Sequence, residues 1–125
     1  MKARNLAESF SYARIGVAQA LASERNLRVH FWIALAVAAL AATLRVRATE
    51  AAALALAATV VIVAEMINTA IEHCVDMITP DYHPLAARVK NIAAAAVLMA
   101  SAGAVIVGIV VLGPHLLQLI GIGSR

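Results

Sequence analysis

The sequence predicts an all-α membrane protein with three transmembrane helices and an amphipathic surface helix before them. Of its 125 residues, 63% are hydrophobic and 14% are charged, which is far too apolar for a soluble domain of this size. Three long apolar runs are separated by short polar segments. A chain of this length has room for one compact unit, so we assign a single domain over residues 1–125.

The first segment, about residues 5–25, has the pattern of a helix that lies on a membrane surface. Its apolar residues recur at spacings of three and four and form one stripe: Leu6, Phe10, Ala13, Val17 and Leu21. Such a helix can rest on the membrane, pack on the protein's own transmembrane helices, or do both. The segment is too charged for a cleaved signal peptide, and no export signal is visible.

Three apolar runs supply the transmembrane helices, which are predicted at about residues 29–45, 50–78 and 91–113. Trp32 and flanking arginines can anchor the ends of the first span. The second span continues without Gly or Pro to about Ile78. Pro80 and Pro84 indicate a loop before the third span, and the stretch "GPH" is expected to end that span.

The basic residues predict the orientation of these helices in the membrane. Seven precede the first and third spans, and three fall on the other side. The seven are Lys2, Arg4, Arg14, Arg25, Arg28, Arg88 and Lys90, and the three are Arg45, Arg47 and Arg125. Because cytoplasmic loops are enriched in Lys and Arg, the amino terminus and the loop between the second and third spans are expected to be cytoplasmic. The sequence has no basic patch interleaved with aromatic residues, which is the pattern that would indicate nucleic-acid binding.

A polar stripe interrupts the second span near its end. At about 100° per residue its members fall on one side of the helix: Glu65, Asn68, Thr69, Glu72 and Asp76. Mutual hydrogen bonding, or solvation of a helix end, explains Asp76 well but explains Glu65 poorly, because Glu65 follows the uninterrupted run "AAALALAATVVIVA". An ionisable residue within a membrane span indicates function. A metal site, a proton path and a general base all remain open at this point.

The polar stripe is compatible with phosphate chemistry. Two carboxylates and an amide suit Mg²⁺, which prefers oxygen ligands and often shares them with phosphates. Arg88 and Lys90 supply positive charge on the same side of the membrane. The chain has neither the P-loop pattern GxxxxGK(S/T) nor a protein-kinase signature.

The cysteine and three of the histidines are interpreted as structural and not as catalytic residues. Cys74 has no second cysteine with which to form a disulfide, and it is expected to be a small buried apolar residue. His30, His73 and His115 are expected to be interfacial or structural.

The stretch "EMINTAIEHCVD" resembles the signature of the small integral-membrane prokaryotic diacylglycerol kinase family. That signature is Glu-x-aliphatic-Asn-Ser/Thr-Ser/Ala-aliphatic-Glu-x-x-Val/Cys-Asp, and every fixed position is met here. The resemblance extends from Ser9 to about Leu112 through "ERNLRVH", "TPDYHPLA" and "VKNIAAAAVL". These flanks look more like the undecaprenol kinase branch than the branch that acts mainly on diacylglycerol.

The resemblance implies roles for particular residues. Glu65 would be the base that takes a proton from a lipid hydroxyl as that hydroxyl attacks the γ-phosphate of ATP. Glu24 and Glu72 would coordinate Mg²⁺, and Asn68 and Asp76 would support the active site. The residues that would line the ATP are Tyr12, Glu24, Glu72, Asp81, Tyr82, His83, Lys90 and Asn91.

The family pattern also implies an assembly and a location. It implies a homotrimer with sites between protomers, in the bacterial cytoplasmic membrane and with the active site on the cytoplasmic side. The chain departs from the family at Asn91, where the usual residue is Asp, and within "IAAAA", where a Gly is replaced. Asn91 removes a negative charge that the family places beside the nucleotide.

The expected reaction is therefore phosphorylation of a membrane lipid alcohol by Mg-ATP. Undecaprenol is the expected acceptor and diacylglycerol the alternative, since both offer a primary hydroxyl at the membrane interface. A second class also remains open, namely a non-enzymatic carrier or structural subunit in which the Glu65 stripe lines a polar pathway. That class requires neither the continuation of the stripe to Asp76 nor the adjacent Lys90.

Overall fold

Four helices make up the described part of the chain, residues 5–121, in this computed structural model: α1 (Leu6–Ser23), α2 (Arg25–Thr43), α3 (Ala48–Ile78) and α4 (Pro84–Leu119). No strand occurs within that range. The last three helices are long and apolar enough to cross a membrane. The all-α prediction with three membrane-length helices is thus confirmed. Lys2, Arg4 and Arg125, which entered the orientation prediction, lie outside the described residues.

The three long helices run antiparallel in chain order, with α3 packed between α2 and α4. At the α2–α3 turn end, Ala41, Leu54 and Leu112 form a small buried cluster that joins all three helices. At the opposite end, which we call the α3–α4 loop end, α3 finishes and α4 begins, and the junction of α1 with α2 also lies there. This end carries the polar half of α3.

Few side chains are buried within the single chain. Leu27 is the most enclosed at 1% exposure, whereas Leu98, Ile106 and Ile109 on α4 are each more than 60% exposed. Apolar side chains exposed along membrane-length helices contact lipid or further helices when the protein is in a bilayer. The trimer remains a prediction.

Helix α1 begins with a side-chain cap. The Asn5 Oδ1 accepts a hydrogen bond of 2.8 Å from the backbone N–H of Glu8, which satisfies one of the free donors at a helix start. No residue of α1 is buried, and Leu6 and Phe10 of its apolar stripe are 90% and 76% exposed. The stripe is therefore available to a membrane surface.

Helix α4 is longer at both ends than the sequence predicted. Pro84 is its first residue and not part of a loop, because a proline at this position loses no intrahelical hydrogen bond. The prediction that "GPH" ends the helix was wrong, since α4 continues through Pro114 to Leu119. The residues after Pro114 are mostly apolar, and a helix satisfies their backbone groups within hydrocarbon at the cost of one lost hydrogen bond.

Cys74 also differs from its prediction, because it is exposed and not buried. It lies about 200° around the helix from Glu72, so it points away from the polar stripe and from the packed face of α3.

His115 ties α4 to the start of α3 at the α2–α3 turn end. Its Nδ1 is 2.9 Å from the Val111 carbonyl oxygen, and its Nε2 is 3.6 Å from Oε2 of Glu50. Glu50 in turn accepts from the side chain of Arg47 at 2.7 Å and from its backbone N–H at 2.8 Å. The two ring nitrogens of His115 thus face one oxygen atom on α4 and one on α3.

Replacing His115 with glutamine is therefore expected to lower stability by about 1 kcal/mol, because glutamine lacks the ring that holds one nitrogen at the Val111 carbonyl and the other beside Glu50. Thermal unfolding of the detergent-solubilised protein measures the difference. An unchanged melting temperature would contradict a structural role for His115.

Candidate active site

Helix α3 places the predicted polar stripe on its packed face. Glu65, Asn68 and Thr69 are 4%, 8% and 6% exposed, and they continue the buried face that Leu54 and Val61 begin nearer the start of the helix. Spacings of three and four residues keep these positions on one side of the helix. Burying a polar group costs free energy unless the group has a hydrogen-bond partner. These buried polar residues are therefore expected to contact a ligand or to form a hydrogen-bond network.

Glu65 is the most deeply buried ionisable residue of the described chain. Its carboxylate has no hydrogen bond and no ion pair among residues 5–121. A carboxylate in a membrane-length helix without a cationic partner contributes little to stability, which favours a functional role.

Asn68 and Glu72 form a polar pair one turn closer to the α3–α4 loop end. The Asn68 Nδ2 donates to Oε1 of Glu72 at 3.0 Å. The Oδ1 of Asn68 is buried and has no partner within the described part of the chain. An unpaired buried acceptor costs roughly 1–3 kcal/mol, so a hydrogen bond from a ligand or a further chain to this oxygen would be favourable.

Glu24 lies at the single-residue junction between α1 and α2. Its side chain is 28% exposed, and its Oε1 is 3.8 Å from Nε2 of His73, the residue that follows Glu72. The α1–α2 junction therefore brings Glu24 to the end of α3, where Glu72 also lies. The two carboxylates predicted as metal ligands occupy the same end of the molecule.

The carboxylates fit Mg²⁺ as part of a ligand set. No group of three or more His, Cys, Asp or Glu side chains within residues 5–121 is arranged to hold a metal alone. Mg²⁺ usually keeps several waters and takes one or two carboxylates together with phosphate oxygens. Glu24 and Glu72, which lie at the same end of the molecule, are the carboxylates predicted to supply such a pair.

Lys90 at the start of α4 contacts the last turns of α3. Its Nζ is 2.5 Å from Oδ1 of Asp76, and the two side chains are 35% and 59% exposed. Beside this pair lies a cavity of about 200 Å³, which we call the loop cavity; it is lined by Val75, Asp76, Thr79, Pro80, Asp81, Tyr82, His83, Ala86, Ala87 and Lys90. The ring of His83 is engaged, because its Nδ1 accepts from the Leu85 N–H at 3.2 Å.

A second, larger cavity lies between α1 and α3. This surface-helix cleft has a volume of about 850 Å³ and is lined by Gly16, Gln19, Ala20, Ala22, Ser23, Met66, Thr69, Ala70 and His73. Small residues on both helices leave the space open, and four of the lining side chains are polar. The buried stripe of α3 thus has one cavity on the α1 side and one on the loop side.

Four of the residues predicted to line ATP lie at the loop cavity, and none of them lines the surface-helix cleft. Asp81, Tyr82, His83 and Lys90 line the loop cavity, whereas Glu24 lies beside α1. Tyr12 lies about three turns before the end of α1 and lines neither cavity, and Asn91 is exposed and also lines neither. The loop cavity is smaller than the roughly 300 Å³ at which ligand pockets usually begin. One chain alone does not enclose a nucleotide here.

Sequence reasoning missed several polar residues at this end. His73 approaches Glu24, and Gln19 and Ser23 of α1 face Thr69 across the surface-helix cleft. One signal was available, because Thr69 and His73 are four residues apart and so share a face of α3. The position of α1 against that face could not be read from spacing.

Comparisons with known proteins agree with the signature on α3. The family model described as prokaryotic diacylglycerol kinase matches residues 11–112. A diacylglycerol kinase of Synechocystis sp. is 45% identical over 118 residues, which cover 94% of this chain and 67% of that protein. An undecaprenol kinase of Bacillus subtilis is 34% identical over 109 residues, which cover 87% of this chain and 89% of that protein. With the buried motif and three membrane-length helices, these matches confirm the prediction of a lipid kinase: the chain belongs to the prokaryotic diacylglycerol kinase family.

Proposed function

We propose that this protein transfers the γ-phosphate of ATP to the primary hydroxyl of a membrane lipid. The observation that carries the proposal is Glu65, a buried carboxylate without a cationic partner in the described chain, at the inner end of a polar stripe that reaches the α3–α4 loop end. A lipid alcohol can approach such a group from the membrane, while a nucleotide can approach the other end of the stripe from water.

In this proposal Glu65 acts as general base. Its carboxylate takes the hydroxyl proton as the hydroxyl oxygen forms a bond to the γ-phosphorus, and the bond to the β–γ bridging oxygen breaks to release ADP. Asn68, through its unpaired Oδ1, would accept a hydrogen bond from a substrate donor beside that base. The products are a lipid phosphate, ADP and the proton held by Glu65.

Charge around the nucleotide would come from residues at the loop end. Glu24 and Glu72 would hold Mg²⁺, which neutralises charge on the phosphates when it is bound. Lys90 would contact phosphate oxygens, and Asp76, now paired with it, would orient the ammonium group toward them. Asp81, Tyr82 and His83 would contact the nucleotide from the loop cavity.

Two acceptors are each favoured by a specific observation. The relative named diacylglycerol kinase is 45% identical over 94% of this chain, which favours diacylglycerol. The relative named undecaprenol kinase matches 89% of its own length, and the flanks of the motif resemble that branch, which favours undecaprenol. Both lipids present a primary hydroxyl at the membrane interface, so the proposed chemistry serves either.

The proposed assembly is a homotrimer in the bacterial cytoplasmic membrane with the α3–α4 loop end on the cytoplasmic side. The excess of basic residues near that end supports the orientation. The division of the nucleotide residues between two sides of α3 supports a site completed by a second protomer, because a neighbouring copy could close what one chain leaves open.

A direct assay tests the proposed function. Detergent-solubilised protein with Mg²⁺ and labelled ATP should transfer label to at least one of diacylglycerol and undecaprenol, and chelation of Mg²⁺ should abolish the transfer. A strong preference between the two lipids identifies the acceptor. If neither lipid is labelled, the kinase proposal fails, and ion flux through proteoliposomes would then examine the carrier alternative.

A further inference from the structure

The α1–α2 junction is an abrupt corner that consists of one residue. Helix α1 ends at Ser23 and α2 begins at Arg25, with Glu24 between them in an extended conformation (φ −94°, ψ 116°). The last carbonyl groups of any helix lack partners within the helix and need donors from elsewhere. The direction of the Glu24 carboxylate depends on the angle at which this corner is held.

One side chain spans the corner. Nη1 of Arg28, in the first turn of α2, donates to the carbonyl oxygens of Leu21 at 3.0 Å and Ala22 at 2.8 Å, both in the last turn of α1. The guanidinium charge also suits the negative end of the α1 dipole. Arg28 thereby satisfies two carbonyl groups that the end of α1 leaves free.

The contacts of Glu24 connect the Arg28 bridge to the candidate active site. The Glu24 N–H donates to the Ala20 carbonyl at 2.9 Å, which fixes the corner to the end of α1. Leu27, three residues later in the first turn of α2, is 1% exposed, which fixes the corner on the α2 side. The result is that Oε1 of Glu24 is 3.8 Å from His73 at the end of α3. A change in the corner angle would swing Glu24 away from the end of the helix that carries Glu72.

We infer that Arg28 is a positioning residue that holds the α1–α2 corner so that the Glu24 carboxylate stays at the end of α3 that carries Glu72. The inference rests on the proposed function of Glu24 as a metal ligand. Arg28 touches neither substrate nor metal and acts through the backbone of α1. A lysine is a poor substitute, because its single ammonium group on a flexible stem does not reproduce the planar guanidinium.

Arg25 provides a matched control. It lies in the same first turn of α2, carries the same charge, and makes no side-chain hydrogen bond or ion pair within the described chain. Arg25→Gln removes one positive charge from the membrane surface, as Arg28→Gln does, but leaves the bridge to α1 intact.

The test is a titration of purified full-length protein with Mn²⁺ in the presence of a non-hydrolysable ATP analogue. Electron paramagnetic resonance measures the unbound Mn²⁺, from which the fraction bound is obtained. Arg28→Gln should weaken binding by roughly 10-fold, Arg28→Lys by less, and Arg25→Gln by less than about 2-fold. Turnover at saturating metal should fall less than the metal affinity. In a Glu24→Gln background, Arg28→Gln should add little further loss, because the group that it positions is gone.

Each alternative result is informative. Unchanged binding in Arg28→Gln overturns the inference, and so does equal weakening by Arg25→Gln, which would indicate a general charge effect. Additive losses in the Glu24→Gln background would also overturn it. Should Arg28→Gln fail to fold, Arg28→Lys decides by the same measurement. If the wild type binds Mn²⁺ but phosphorylates no lipid, the proposed function fails while the metal titrations still decide the role of Arg28.

Discussion

Replacing Glu65 with glutamine is expected to lower turnover by roughly 10²-fold or more while Mg-ATP binding stays nearly unchanged. Glutamine keeps the size of the side chain and its capacity for hydrogen bonds, but it cannot accept the hydroxyl proton. Glu65 is 4% exposed and has no ion pair among the described residues, so its replacement breaks no salt bridge within residues 5–121. Steady-state turnover and nucleotide affinity on one preparation measure the effect.

Two further variants sharpen this result. Glu65→Asp keeps the base but withdraws it by one methylene, so its turnover should fall between those of wild type and Glu65→Gln. Glu50→Gln makes the same chemical change at the α2–α3 turn end and should leave turnover unchanged. If Glu65→Gln instead lowers thermal stability or disperses the oligomer, the residue is structural. Normal turnover in a folded Glu65→Gln protein would remove it as the base.

The part of the site that lies on one helix could be predicted from the sequence. Glu65, Asn68 and Glu72 fall on one face because helical spacing is local, and α3 contains neither Gly nor Pro to disturb it. The burial of Glu65 and Asn68 follows from their place on the face that Val61 begins. Here the periodicity alone was sufficient.

Contacts between helices were beyond the sequence pattern. The bridge from Arg28 to α1, the approach of Glu24 to His73 and the pairing of Lys90 with Asp76 all depend on how separate segments pack. The helix ends near proline were misjudged for a related reason. Whether Pro84 starts a helix or Pro114 stops one depends on the neighbouring backbone and not on proline alone.

Removing either carboxylate of the proposed metal site is expected to weaken metal-nucleotide binding. Glu24→Gln and Glu72→Gln should each weaken binding of Mg²⁺ with ATP by about 10-fold to 100-fold, since even residues that only support metal ligands have effects of that size. Glu72 also accepts a hydrogen bond from Asn68 at 3.0 Å. Glutamine can still accept this bond, so the weaker binding of Glu72→Gln should reflect the lost charge more than lost packing.

Calorimetric titration of Mg²⁺ and an ATP analogue into each variant measures this loss, with Glu50→Gln as the control at the other end of the bundle. Glu24 comes from the α1–α2 junction and Glu72 from α3, so a shared ligand requires both elements to meet at one ion. The double variant should then bind little more weakly than either single variant, because one missing ligand already disrupts the site. Fully additive losses would indicate two independent sites. Unchanged nucleotide affinity in both single variants would contradict the assignment of these carboxylates to the metal.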